Sequence, residues 1–278
     1  MQPRNGYFMK FSILVAHYNN YNYFLDCYKS IINQTHQNFE VILVDDCSDD
    51  GSLEKIQNLV KNDTRFKIIK NEENKGVGYT KRKCIELATG DICGFVDPDD
   101  AIIPSAIEKS IEKYLEKDTI VATHSNISVC DEKLNYIRDF KGTRKVKNSD
   151  SFFFNIDFSV NHFFTFKKLA YDKTSGIDKE LTSAVDQDLY LKIYEQGNFA
   201  YINENLYLYR IHEKGVSQDK SKKDKLNHNW HKVLLNTLKR RKVGRIYGRN
   251  IDEINNLPKF LFEKENSFFK KLIRKFIK

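Results

Sequence analysis

Four times within residues 11–117, a short apolar run of β-forming residues is followed by apolar residues at helical spacing. This alternation constrains the fold more than any other feature of the chain. FSILVAH (Phe11–His17) precedes Leu25, Tyr28, Ile31 and Ile32, and FEVILVDD (Phe39–Asp46) precedes Leu53, Ile56, Leu59 and Val60. FKIIK (Phe66–Lys70) precedes a helix through Cys84, Ile85 and Ala88, and ICGFVD (Ile92–Asp97) precedes Ile107, Ile111, Tyr114 and Leu115. Near-continuous apolar strands separated by helices predict an α/β fold with a doubly wound, mostly parallel sheet. In such a sheet ligands bind beyond the carboxyl ends of the strands.

The pattern changes after Thr119. Strand-like stretches at 119–130, 136–140 and 162–166 are richer in aromatic and polar residues, and a helix is predicted from Asp186 to about Gln196. A mixed second half is expected. Beyond Ser217 the chain is Lys-rich and helical, with Trp230, Val233, Leu234 and Leu238 as a partial apolar stripe. The predicted division is therefore an N-terminal extension (1–10), a body (11–217, with halves 11–117 and 118–217) and a basic helical region (218–278). Met9-Lys10-Phe11 would itself make a start directly before the first strand, so residues 1–8 read as a dispensable extension.

The strand ends carry the candidate chemistry. The first ends in His17-Tyr18-Asn19, the second in Asp45-Asp46, and the fourth in Asp97-Pro98-Asp99-Asp100. In a parallel sheet these ends share one rim, so five carboxylates and an aromatic ring could line one cleft. Pro98 forces an extended or turn-like segment, in which Asp97 and Asp99 can face the same side. Such a pair suits Mg or Mn with positions left open for phosphate oxygens; the alternative is an Asp-rich turn capping the next helix. Neither G-x-G-x-x-G nor a P-loop occurs, which removes the main support for dehydrogenase and P-loop readings. Gly76 and Gly78 could instead bring backbone close to a ligand, with Lys75, Lys81 and Arg82 facing a diphosphate, or could mark a plain turn among solvated lysines.

The net charge of +8 is unevenly placed: from Gly215 onward 18 Lys and Arg stand against 6 Asp and Glu, a local +12 that leaves −4 for the rest. The last thirteen residues, NSFFKKLIRKFIK, form an apolar face beside a cationic one on a helix. That suits an anionic membrane surface, or packing on the chain's own second half or a second subunit. A nucleic-acid partner is not expected, because the body holds no recognisable module for one. Five scattered cysteines with no C-x-x-C pair fit a reducing compartment, and no apolar run approaches a membrane span. A cytoplasmic protein, peripheral on the inner face of the plasma membrane, is the expectation.

SILVAHYNN, QTHQNFEVILVDDCSDDGS, NKGVGYTKRKCIELATGD and FVDPDD resemble, in order, the signature segments of inverting family 2 glycosyltransferases with the GT-A fold. SAVDQDLYLKIYEQGNFAYINENLYLYRIH resembles that family's acceptor segment, so the likeness runs over about residues 11–217. It implies a nucleotide-sugar half and an acceptor half. Tyr18 and Asn19 would line the base pocket, and Asp46, with Asp45, would hydrogen-bond the base or ribose. Asp97 would lie near the ribose, while Gly76 and Lys81 would border the donor. Asp99, Asp100 and His212 would hold Mn or Mg on the diphosphate of the nucleotide sugar, a UDP-sugar by this likeness. Asp186 would be the general base that deprotonates the acceptor hydroxyl, with Asp188 as competitor; alternatively Asp186 caps its helix.

The implied activity is a metal-dependent, inverting transfer of one hexosyl or N-acetylhexosaminyl unit to a glycan or lipid-linked glycan, in surface polysaccharide or glycolipid synthesis. Three departures stand out. Val185 replaces the acid that usually precedes the base, Lys81-Arg82 replaces Arg-Asn, and Cys47 replaces the Gly after the strand-end acids. Val185 motivates one alternative, a non-catalytic sugar-nucleotide or glycan-binding protein; a sugar nucleotidyltransferase is the other.

Overall fold

The computed structural model describes residues 9–213 and 223–265. The first half runs β1 (Phe11–His17), α1 (Tyr21–Ile32), β2 (Phe39–Asp45), α2 (Ser52–Val60), β3 (Phe66–Lys70), α3 (Val77–Leu87), β4 (Ile92–Phe95), β5 (Ala101–Ile102) and α4 (Ala106–Glu116). The second half adds β6 (Ile120–Cys130), β7 (Tyr136–Asp139), β8 (Thr165–Lys167), α5 (Lys168–Tyr171), α6 (Val185–Tyr194) and β9 (Asn198–Arg210). Then follow α7 (Lys223–Arg240), the short pair β10 (Arg245–Ile246) and β11 (Arg249–Asn250), a 3-10 turn and α8 (Leu257–Glu265).

One sheet unites both halves, in the order β3-β2-β1-β4-β8-β6-β9-β5, with β7 on β6. β1 pairs parallel with β2 and β4, and β2 with β3, so the four predicted strands form the expected parallel half. β8 runs antiparallel between β4 and β6, while β6 and β9 are parallel, which makes the second half mixed. The fold is thus the α/β, GT-A-like arrangement expected from the sequence.

Alternate side chains of the central strands enter different layers, as strand geometry requires. Ile13, Val15, Val41 and Leu43 pack with Phe24, Cys27 and Ile31 of α1 and with Ile107, Ile111 and Tyr114 of α4. Leu14, Ile42 and Val44 pack on the other face with Cys84 and Ile85 of α3 and with α6. Burial on both faces explains why these strands read as continuous apolar runs.

Three features differ from the expectation. Of the stripe expected on α1, Ile31 is fully buried but Leu25, Tyr28 and Ile32 only partly; Phe24, its ring edge on His17, and Cys27 complete the inward face. β9 does not stand out as a strand in the sequence, since Asn203, Glu204 and Asn205 interrupt its apolar pattern. Its pairing with β6 absorbs them through register shifts at Ser125–Ile127. The basic region packs beyond the partial stripe expected of it: besides Val233, Leu234 and Leu238 of α7, Ile246, Ile251, Ile254, Leu257 and Leu261 join the α3/α6 layer. Each such side chain is worth about 1.5–3 kcal/mol when fully buried. The 217/218 boundary, residues 1–8 and the amphipathic segment 266–278 lie outside the described residues.

Candidate active site

The parallel register brings the strand ends level, but it does not pool their acids. His17 lies opposite Asp45, and its Nδ1 is 2.9 Å from Asp45 Oδ1. Ser48 donates to the same carboxylate from Oγ (2.6 Å) and N (2.9 Å), and the Asp45 side chain is 0 % exposed. Burial opposes its ionisation, yet the His17 and Ser48 hydrogen bonds outweigh burial and hold the carboxyl below its usual range. Asp45 is thus enclosed by His17 and Ser48, with no side-chain surface of its own toward the base or ribose that the sequence reading gave it. Asp46 is also buried. It accepts from Asn71 Nδ2 (2.7 Å), Lys75 N (2.9 Å) and Gly76 N (2.8 Å), so it pins the loop that enters α3. Gly76 has φ 84° and ψ 166°, a conformation open essentially only to glycine. Tyr18 stands exposed at the end of β1, and Asn19 is fastened to Asp49 and Ser48 by its side chain and backbone.

The β4 end differs. Lys81, buried on α3, places Nζ 3.1 Å from Asp97 Oδ1 and 2.8 Å from Asp186 Oδ1. Burial opposes the charge on both Asp186 and Lys81. Lys81, then His162, overcomes this for Asp186 and holds its carboxyl low, while Asp186 and then Asp97 raise the Lys81 ammonium. Position in the first turn of α6 further favours an anion. The side chains of Asp97 and Asp186 stay 29 % and 35 % exposed, so an ionised acceptor of protons remains reachable. Asp186 is not a helix cap, because Ala184 is the N-cap residue and no side chain caps this helix. Asp188 is spoken for: its Oδ2 accepts from Lys192 Nζ (2.8 Å) and Asp178 N (2.8 Å). Val185 points into the apolar layer, so the missing acid leaves no gap in the cleft.

Asp99 Oδ2 lies 2.9 Å from Nε2 of His212, whose ring packs 4.4 Å from that of Tyr23. Arg210 fixes this corner: Nε donates to the Asp99 carbonyl (2.6 Å), Nη2 to Asp26 (2.9 Å), and the guanidinium lies over Tyr23. Asp100 is turned away from Asp99. It is buried and accepts from Arg210 N at 2.8 Å, and burial and then Asp99 push its carboxyl well above the usual range. Asp100 is thus enclosed and already bonded to backbone, so of the acids expected to hold a cation it is Asp99 that faces the cleft. Among the described residues no group of three His, Cys, Asp or Glu side chains is placed to cage a metal. The carboxylate and imidazole of Asp99 and His212 still fit a two-point hold on Mn or Mg, the remaining positions being open to phosphate oxygens.

The sequence offered no signal for His162, Tyr190, Tyr207 or Arg210, which the fold brings to this site. His162 stacks on Tyr207, and the Tyr207 hydroxyl accepts from Asp97 N at 3.1 Å. Cys47 adopts φ 63°, a left-handed conformation in which glycine is the unstrained residue, so the Gly-to-Cys departure carries backbone strain.

Comparison with known proteins agrees with this architecture. The sequence profile described as "Glycosyl transferase family 2" matches residues 12–174. The chain is 28 % identical over 258 residues to a chondroitin synthase of Escherichia coli, covering 91 % of this chain and 36 % of that one. It spans between 25 % and 36 % of the length of that protein and of the Pasteurella multocida chondroitin and hyaluronan synthases. The structure of S. aureus TarS 1–349 in complex with UDP-GlcNAc superposes with a TM-score of 0.66 at 22 % identity, over 83 % of this chain and 67 % of that one. The mannosyltransferase PcManGT from Pyrobaculum calidifontis, in complex with GDP-Man and Mn2+, superposes with a TM-score of 0.60 at 13 % identity, over 90 % and 66 %. Both likenesses concern the fold.

Proposed function

Because the chain belongs to glycosyl transferase family 2, we propose that it moves one sugar from a nucleotide diphosphosugar, UDP-linked, to a glycan or lipid-linked glycan. One observation carries the reading. Asp186, kept ionised by Lys81 and partly open to the cleft, shares a rim with Asp99 and His212. A sugar hydroxyl is a weak nucleophile at neutral pH, so a carboxylate must take its proton as the bond from C1 to the diphosphate breaks. A single displacement of this kind inverts the anomeric centre. Lys81 keeps Asp186 from protonating early and holds it beside Asp97. Tyr18 offers a ring face to the base, Asn19 lies beside it, and Asp46 shapes the Gly76 loop along the donor. Asp99 and His212 would hold Mn or Mg, which supplies charge stabilisation for the departing nucleoside diphosphate.

The chondroitin and hyaluronan synthases among its relatives support surface polysaccharide or glycolipid synthesis by hexosyl or N-acetylhexosaminyl transfer. TarS with UDP-GlcNAc supports a uridine donor, and PcManGT with Mn2+ supports a divalent cation. Among the described residues no helix is long and apolar enough to cross a membrane, and a peripheral attachment through residues 266–278 is part of the proposal. Leu257 and Leu261 belong to the core, so the truncation that tests this attachment ends at Glu265. Vesicles with anionic lipid should retain the full chain more than that truncated one, and equal retention removes the membrane role.

The activity test is release of nucleoside diphosphate from UDP- and GDP-sugars with Mn, for wild type, Asp186→Asn and Asp99→Asn. Release by wild type that survives both substitutions would overturn the assigned roles. Absence of any Mn-dependent thermal shift with UDP or GDP would count against the whole reading.

A further inference from the structure

His162 does more than help Lys81 hold the Asp186 carboxyl low: it completes the acid cluster from the side opposite Lys81. Lys81 binds Oδ1 of Asp97 and Oδ1 of Asp186. His162 Nε2 faces the other oxygen of each, 3.8 Å from Asp97 Oδ2 and 3.9 Å from Asp186 Oδ2. Both separations are too long for a direct hydrogen bond, and an oxygen seated off the line between the atoms, at roughly a right angle, reaches both. The ring cannot swing in to close them. It is stacked on Tyr207 at 4.8 Å, meets Tyr190 edge-on at 6.4 Å, and its side chain is 10 % exposed. Among the described residues His162 Nδ1 is buried with no hydrogen-bond partner, and so is the Tyr190 hydroxyl beside the cluster. The carboxylate oxygens face Nε2. Nε2 is thus the ring nitrogen aimed between the two carboxylates, and an N–H there points at both.

We propose that His162 Nε2, Asp97 Oδ2 and Asp186 Oδ2 enclose a site for a single oxygen, filled by water in the free protein and by the attacking hydroxyl of the acceptor during transfer. A water there accepts from Nε2–H and donates one hydrogen to each carboxylate, so all three groups are satisfied. An acceptor hydroxyl accepts the same Nε2–H and donates its only hydrogen to Asp186, the direction in which the proton must leave. His162 is thus a positioning residue that selects the lone pair presented to the donor. The second half of the proposal rests on Asp186 being the general base; the first does not.

A crystal structure of the full chain, at a resolution that shows ordered solvent, tests the site itself. One ordered oxygen within hydrogen-bond reach of all three atoms is expected. A direct His162–carboxylate hydrogen bond, or an empty gap, would overturn the proposal. Kinetics with UDP-GlcNAc and methyl glycoside acceptors test its use. His162→Phe should lower kcat/KM for the acceptor by roughly tenfold or more while the KM for UDP-GlcNAc holds. His162→Gln, which keeps an N–H donor, should recover most of the loss. A loss that falls on the donor KM, or that Gln does not recover while both variants keep the wild-type thermal shift with UDP and Mn, would overturn the positioning role. A wild type inert with every sugar nucleotide would sink the transferase reading, and with it the acceptor half, leaving the oxygen site to the electron density.

Discussion

β2 and β4 both end in paired aspartates on one rim, and the protein treats the two pairs in opposite ways. Asp45 and Asp46 are buried and tied to the protein's own donors: Ser48, Asn71 and the backbone of Lys75 and Gly76, with His17 alongside. Burial keeps both nearly closed to the cleft. Asp97 and Asp99 are held by Lys81 and His212 and keep part of their surface in the cleft. Lys81 fixes Asp97 through Oδ1 and His212 fixes Asp99 through Oδ2, and the other oxygen of each is left for chemistry. Position at a strand end thus marks a candidate, and the identity of the donors decides its role.

Substitutions that exchange the expected consequences would break this contrast. The largest effect should come from Asp186→Asn, which keeps shape and removes the base: turnover should fall by about 10²–10⁴, with the folded chain still binding UDP. Near wild-type turnover would remove the base assignment. Lys81→Met should move the acid limb of the pH–rate profile to higher pH, since losing the ammonium lets Asp186 protonate sooner. An unmoved limb would show that Lys81 does not set that charge. Asp45→Asn should instead cost about 1–3 kcal/mol of stability by mispairing buried donors. Because the Asp45 carboxyl is lowered in the folded state, its contribution is present above the ordinary carboxylate value of 3.8 and is lost as pH falls below it. Acid titrations of unfolding for wild type and Asp45→Asn should therefore converge at low pH.

Two backbone tests follow with smaller effects. Gly76→Ala should cost about 1–3 kcal/mol and weaken UDP binding, because φ 84° is closed to a Cβ while the space around it is open. Calorimetry on the variant separates this from a packing effect. Cys47→Gly should raise the melting temperature slightly, by about 0.5 kcal/mol of relieved left-handed strain less the entropy glycine adds to the unfolded chain. A fall would mean that the contact from Cys47 Sγ to the Glu72 carbonyl matters more than the strain.

The amino-acid sequence by itself determined the parallel half of the sheet, because a strand buried on both faces must be apolar throughout and a covering helix must repeat with its own period. It determined the rim as well, and through ordered resemblance it pointed to Asp97, Asp99, Asp186 and His212. Only the tertiary structure decided which acids remain available. Asp45 and Asp100 look like their neighbours in sequence, yet one faces His17 and Ser48 and the other the backbone of Arg210. It also brought His162 within 4 Å of two carboxylates that lie 65 positions before and 24 after it in the chain. The physical reason is that a carboxylate's chemistry is set by donors, charges and burial from other strands and helices, and those partners are adjacent in space but distant along the chain.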